Sequence, residues 1–151
     1  MNVSIVDQKY IKQIISQDVA SIVSSEISSK FNQYISQKYS WEFTGYRIDW
    51  SKHSFHKRFN WQQNSDEDTA SFLQSTCLFH FKDICVIYGA NEPGLKVSFE
   101  YAQENLDVLM CHGFGTRFLV AIENNEFNDE PKLSHECFVE VDRNTWLTSS
   151  S

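Results

Sequence analysis

Residues 7–38, DQKYIKQIISQDVASIVSSEISSKFNQYISQK, decide how this chain is built. Ile11, Ile14, Ile15, Val19, Ile22, Val23, Ile27, Phe31, Tyr34 and Ile35 recur at spacings of three and four, without an intervening Gly or Pro, which predicts helix. Turning each residue by about 100° puts the apolar arc of residues 11–23 at about 30° and that of residues 27–35 at about 140–240°. One straight helix cannot aim both arcs at the same surface. The expectation is a kinked helix or a helix pair, broken near residues 24–29, with the second half packed against something different.

Beyond residue 39 the period changes to two. Trp41 and Phe43 alternate with polar residues, and Tyr46, Ile48 and Trp50 follow on the opposite parity after a slip at Thr44-Gly45 that suits a bulge. Phe55, Phe59 and Trp61 continue as a strand, and residues 64–68 read as a polar, acidic loop. Leu73, Cys77, Phe79 and Phe81 suit one face of a strand, and residues 84–88 form a buried run. A turn at Asn91-Glu92-Pro93-Gly94 leads to alternating Leu95, Val97, Phe99 and Tyr101. Residues 106–111 are apolar but too short to type, 117–122 read as strand, 124–133 as an acidic loop and 136–142 as the last strand. Residues 148–151 read as a frayed tail. The fold expected is one α+β domain over residues 1–151, helical across 7–38 and mainly β across 41–142. Its N-terminal helix or kinked helix pair packs on one face of a curved antiparallel sheet of about six to eight strands.

Composition narrows the function classes. The chain has 151 residues, a formal charge of -7, and 12 Phe, 6 Tyr and 4 Trp to build a core. That suits one domain of about 100–200 residues and excludes a disordered chain. No run approaches the ~18 apolar residues of a membrane span. Lys9 and Lys12 sit inside the amphipathic pattern, so no export signal is read and the chain is expected to be cytoplasmic. Cys77, Cys85, Cys111 and Cys137 form no C-x-x-C pair and are expected as buried thiols. Charge is uneven. Residues 1–65 hold eight Lys/Arg against five Asp/Glu, whereas residues 66–151 hold five against fifteen. An acidic surface disfavours nucleic acid and favours a basic partner.

No motif for chemistry rises from the residues. His53, His56, His80, His112 and His135 lack the tight paired spacing of a zinc site, and His53 and His56 would face opposite ways on a strand. Gly113-Phe114-Gly115-Thr116 is followed by no phosphate-loop Lys-Ser/Thr, and there is no G-x-S-x-G elbow. No metal, cofactor or catalytic residue is therefore expected. The one basic, aromatic stretch is His53–Arg58 with Phe55, Phe59 and Trp61; it would bind RNA only if the rings were exposed beside Lys57 and Arg58.

The densest signal lies between residues 123 and 142, which hold seven acids and one base, Lys132. On a strand, Cys137, Val139 and Val141 would point inward, leaving Glu136, Phe138, Glu140 and Asp142 on an outer face. Glu123, Glu126, Asp129 and Glu130 precede them in the loop. Acids around an exposed ring suit a partner that brings Lys or Arg and a pocket for Phe138; a charged edge strand that resists aggregation is the alternative. In the first case, reversing Glu140 and Asp142 to Lys would slow association and spare the fold.

In size, acidity, aromatic content and this 136–142 face, the chain resembles the immunity proteins of bacterial contact-dependent inhibition and related polymorphic toxin systems. The resemblance implies a small cytoplasmic domain that binds a cognate, basic toxin domain, often a nuclease, and occludes its active site, with no membrane or nucleic acid as partner. Those families differ in binding surface, so no residue transfers by position. A second resemblance is to cone-shaped folds with a long N-terminal helix over a curved sheet. It would make Trp41, Trp50 and Trp61 the lining of a ligand or catalytic pocket, with His80 as an acid/base group.

Overall fold

A computed structural model describes residues 8–41, 48–53, 57–110, 117–124, 130–141 and 146–149. The opening stretch holds two helices with a strand between them: α1 (Lys9–Ser16), β1 (Ala20–Val23) and α2 (Ser25–Lys38). α1 stops in a Schellman turn. The Val19 N–H donates to Ile14 O at 3.0 Å and the Asp18 N–H to Ile15 O at 3.1 Å, with Asp18 at φ 59° in the place usually taken by Gly. Ser24 then caps α2, its Oγ accepting from the Ile27 N–H at 3.4 Å. The break therefore falls at residues 17–19, earlier than the serine-rich segment suggested, and residues 20–23 leave the helical pattern for a sheet edge.

The remaining elements are β2 (Lys57–Asn60), α3 (Asp66–Gln74), β3 (Asp83–Ile87), β4 (Gly94–Ser98), α4 (Phe99–Glu104), α5 (Leu106–Met110), β5 (Arg117–Ile122), β6 (Leu133–Val141) and β7 (Trp146–Ser149). Short 3-10 turns occupy Trp50–Lys52 and Cys77–His80. The strands form one seven-stranded antiparallel sheet in the order β1-β4-β3-β5-β6-β7-β2, so the chain is α+β as expected. Gly94 opens β4 where a side chain could not fit: a Cβ there would lie 2.7 Å from Val86 O and 3.1 Å from Cys85 Sγ.

Helices cover both faces of the sheet. On one, Ile11 and Ile14 of α1 pack with Leu73, Leu109, Ile84, Val86, Leu119 and Val139. On the other, Phe31 and Ile35 of α2 pack with Trp50, Cys85, Phe118, Val120 and Phe138. The divergent apolar arcs of residues 11–23 and 27–35 thus reach opposite faces of one sheet. The expectation of helix over a single face is corrected accordingly, and all six residues of β5 are buried.

Several local readings change with it. Residues 64–68 are not a loop: Ser65 caps α3, accepting from the Asp68 N–H at 3.1 Å, and Asp66, Glu67 and Asp68 sit in the first turn, where acids favour the helix dipole. Cys77 and Phe79 lie in a 3-10 turn rather than a strand. Alternation after Gly94 ends at Ser98, which caps α4 through the Tyr101 N–H. The ambiguous segment is α5. Trp41 and Ile48 form an antiparallel bridge, and the slip at Thr44-Gly45 lies outside the described residues. Thr148 and Ser149 are not a tail but part of β7, buried between β6 and β2. Among the described residues no helix is long and apolar enough to cross a membrane.

The cysteines differ most from expectation. Cys77 and Cys137 form a disulfide with Cα atoms 5.8 Å apart, tying the turn after α3 to β6. Cys85 is a free, fully buried thiol, and burial pushes its pKa up. Cys111 lies outside the described residues.

Two predictions follow from these constraints. Asp18→Val puts a β-branched residue at positive φ and should lower stability by about 1–2 kcal/mol, while Asp18→Gly should not, as read by urea denaturation. Closing a loop across 60 residues, the disulfide should contribute about 4 kcal/mol. A Cys77→Ser, Cys137→Ser double variant should therefore melt roughly 10 °C lower. Reductant should lower the wild-type melting point equally; no effect of reductant would mean that the bond is not formed.

Candidate functional site

A groove of about 480 Å³ lies where α2 passes the loop joining β5 to β6. α2 contributes Ile27, Lys30, Phe31 and Tyr34 at the three- and four-residue spacing that makes one helical stripe. Pairing pins the base of the loop. The Glu123 N–H donates to Lys132 O at 2.8 Å. Asn124 ties both arms, its Nδ2 donating to Glu130 O at 2.9 Å and its Oδ1 accepting from the Lys132 N–H at 2.8 Å. Glu123, Glu130, Pro131, Lys132 and Leu133 then line one wall.

The other wall is made by a bulge. The β5–β6 register runs evenly to Val120↔Phe138 and then shifts, so that Ile122 pairs with Leu133. Ser134, itself buried, holds the extra residues: its Oγ accepts from the Glu136 N–H at 3.2 Å and the Cys137 N–H at 2.9 Å. The result leaves His135 and Glu136 exposed while Leu133 and Phe138 both reach the α2-side core, although they differ in parity. Bulges re-aim side chains in this way, often beside functional sites. The His135 ring stacks on Tyr34, with centroids 3.8 Å apart and planes at 19°. Lys38 Nζ donates to His135 O at 3.4 Å and lies 5.6 Å from the Tyr34 ring centre.

The expected site residues divide three ways. Glu123, Glu130 and Glu136 meet at this groove. Phe138 and Glu140 do not: they are 0% and 2% exposed beneath α2 and the 48–50 segment. Glu126, Asp129 and Asp142 lie outside the described residues. The surface assigned to Phe138 and Glu140 is thus a second core. Glu140 is tolerated there because its carboxylate accepts from the Ile48 N–H at 2.9 Å and from Trp50 Nε1 at 3.1 Å. Tyr34, Lys30 and the Ser134 bulge were not singled out by sequence reasoning, and His135 was weighed only as a metal ligand or acid/base group. Tyr34 looked like one more member of an apolar arc, and no local pattern distinguishes a bulged strand from a regular one here.

Charge in the groove is mixed but locally committed. Lys132 pairs with Glu123 at 3.7 Å and Lys30 with Glu26 at 3.5 Å, all on exposed side chains. Such pairs are weak and exchange readily with a stronger partner.

The other candidates are not drawn together. His53 Nε2 accepts from the Ser40 N–H at 3.0 Å, His80 is exposed on the 3-10 turn, and His56 and His112 lie outside the described residues. Among the described residues no group of three or more His, Cys, Asp or Glu could hold a metal ion. Phe59 stacks on Phe72 and, like Trp61, packs against the α1-side core, so these rings do not stand free beside Lys57 and Arg58. Trp41 and Trp50 belong to the α2-side core and Trp61 to the opposite one, so the three cannot line a single pocket. No family model, curated protein or solved structure matches the chain.

The buried carboxylate makes a sharp prediction. Glu140→Gln turns an amide NH₂ toward groups that are themselves donors and should cost about 1–3 kcal/mol of stability. Glu140→Lys should prevent folding instead of merely slowing association, since it buries a cation against the same donors. A native-like denaturation midpoint for Glu140→Lys would refute this burial.

Proposed function

We propose that the chain is a stoichiometric inhibitor of the immunity type, which binds a basic toxin domain through the groove between α2 and β6 and occludes its active site. The groove carries this reading. Ile27, Phe31 and Leu133 give it an apolar floor, Tyr34 and His135 a flat aromatic wall, and Glu123, Glu130 and Glu136 an acidic rim. An apolar centre with an aromatic anchor and a charged rim is the composition of an interface core. The formal charge of -7 would draw a basic partner in, raising association rate more than affinity. The ring that sequence reasoning put at the centre of the interface, Phe138, is replaced in this role by Tyr34 and His135.

In this reading the partner is met in the cytoplasm, where Cys77 and Cys137 would be kept as thiols. Thiol titration of protein taken directly from its source under acid quench reads which state it works in, and an intact disulfide there would move the encounter to an oxidising compartment.

The interface is tested by charge reversal at residues that carry no part of the core. Glu130→Lys with Glu136→Lys should slow association with the basic protein that co-purifies in equal amount by about tenfold or more at low salt, and leave the melting point unchanged. The wild-type rate should fall with ionic strength. An unchanged rate in the double variant removes the groove from the interface.

A further inference from the structure

We infer, resting on the reading of this groove as the partner's docking site, that what it receives is an arginine side chain of the partner, in preference to a lysine. Two stacked aromatic rings line the groove, His135 on Tyr34 at 3.8 Å, and the His135 side of the stack is exposed. A guanidinium is planar, weakly hydrated and stacks on such rings, whereas an ammonium is a compact, strongly hydrated point charge. The Tyr34 ring already takes a cation, with Lys38 Nζ over it 5.6 Å from its centre. Carboxylates stand around this wall. Glu136 follows His135 on the bulge, and Glu130 and Glu123 close the loop side. A guanidinium can stack and still present its fork to a carboxylate, which a single ammonium cannot do. The floor of Ile27, Phe31 and Leu133 suits the apolar stem that both cationic side chains carry, so the floor sets depth and the wall sets identity. Lys30 and Lys132 also line the groove. They oppose any added charge, and that opposition weighs most on a ligand with no stacking or bidentate gain, which sharpens the choice for arginine.

The test uses the whole chain and three blocked peptides, acetyl-Gly-X-Gly-amide, with X as arginine, lysine or citrulline, titrated at low salt and followed by backbone amide resonances. The arginine peptide should shift Tyr34, His135 and Glu136, the lysine peptide should bind about tenfold more weakly, and the neutral citrulline peptide should not bind. Tyr34→Leu should weaken the arginine peptide about threefold and the lysine peptide less, and Tyr34→Phe should restore both. Glu136→Gln should weaken both. Equal binding of arginine and lysine overturns the inference and leaves an acidic docking groove. Failure of every peptide to shift these residues also overturns it, while the Glu130→Lys, Glu136→Lys association rate with the intact protein partner separately decides whether the groove is an interface.

Discussion

The central strands bury both of their faces, and nearly everything else in the structure answers that constraint. In β5 no residue faces water, and Ile84, Cys85, Val86 and Ile87 of β3 are equally enclosed. An antiparallel sheet usually keeps one face solvated; here each face needs its own apolar cover. The N-terminal stretch supplies part of both covers by crossing the sheet edge. α1 lies on one side, β1 pairs with β4 at the edge, and α2 lies on the other. The Schellman turn at Asp18 is what makes this crossing short, because it ends α1 and redirects the chain within three residues.

That crossing was half legible. A rotation by about 100° per residue exposes two arcs that no straight helix can reconcile, and they do reach different surfaces. What the pattern could not show was that Ala20, Ser21, Ile22 and Val23 would leave the helix, since an apolar run this short serves a strand or a helix equally well. Tertiary pairing with β4 decided it. Elsewhere the misreadings share one cause. Ser65 and Ser98 are N-caps whose hydroxyls take a backbone N–H three residues on, but the residues before and after them look like loop or alternating strand. Capping is a statement about the next three residues, and hydrophobic period is a statement about the next dozen; where helices are as short as α4, the first carries more information than the second.

The acidic strand shows a different limit. Period two correctly groups Phe138 with Glu140, because both point to the same side of β6. It says nothing about whether that side is wet. A glutamate is ordinarily read as solvent-facing, and burying a carboxylate is costly unless its oxygens are satisfied. Ile48 and Trp50 satisfy them here, from a segment ninety or so residues away in sequence, so the information that makes Glu140 a core residue is not local to it. Its role is to hold the 48–50 segment over the sheet, with Trp50 closing the core that Phe138 and Phe118 begin.

With both faces filled, surface chemistry is left to the sheet's ends and connections, where recognition residues are disproportionately placed. The bulge in β6 is where the proposed site lies. Ser134 fixes its backbone, and α2 holds the exposed part through the Tyr34–His135 stack and the Lys38 contact. His135 and Glu136 are therefore exposed yet held in place. In the proposed reading, a groove whose walls are already fixed loses less ordering entropy on association than a flexible acidic loop would. This is why the groove, and not the abundance of acids between residues 123 and 142, carries the functional reading: charge can draw a partner from a distance, but only a fixed planar wall beside carboxylates can discriminate between the side chains that arrive.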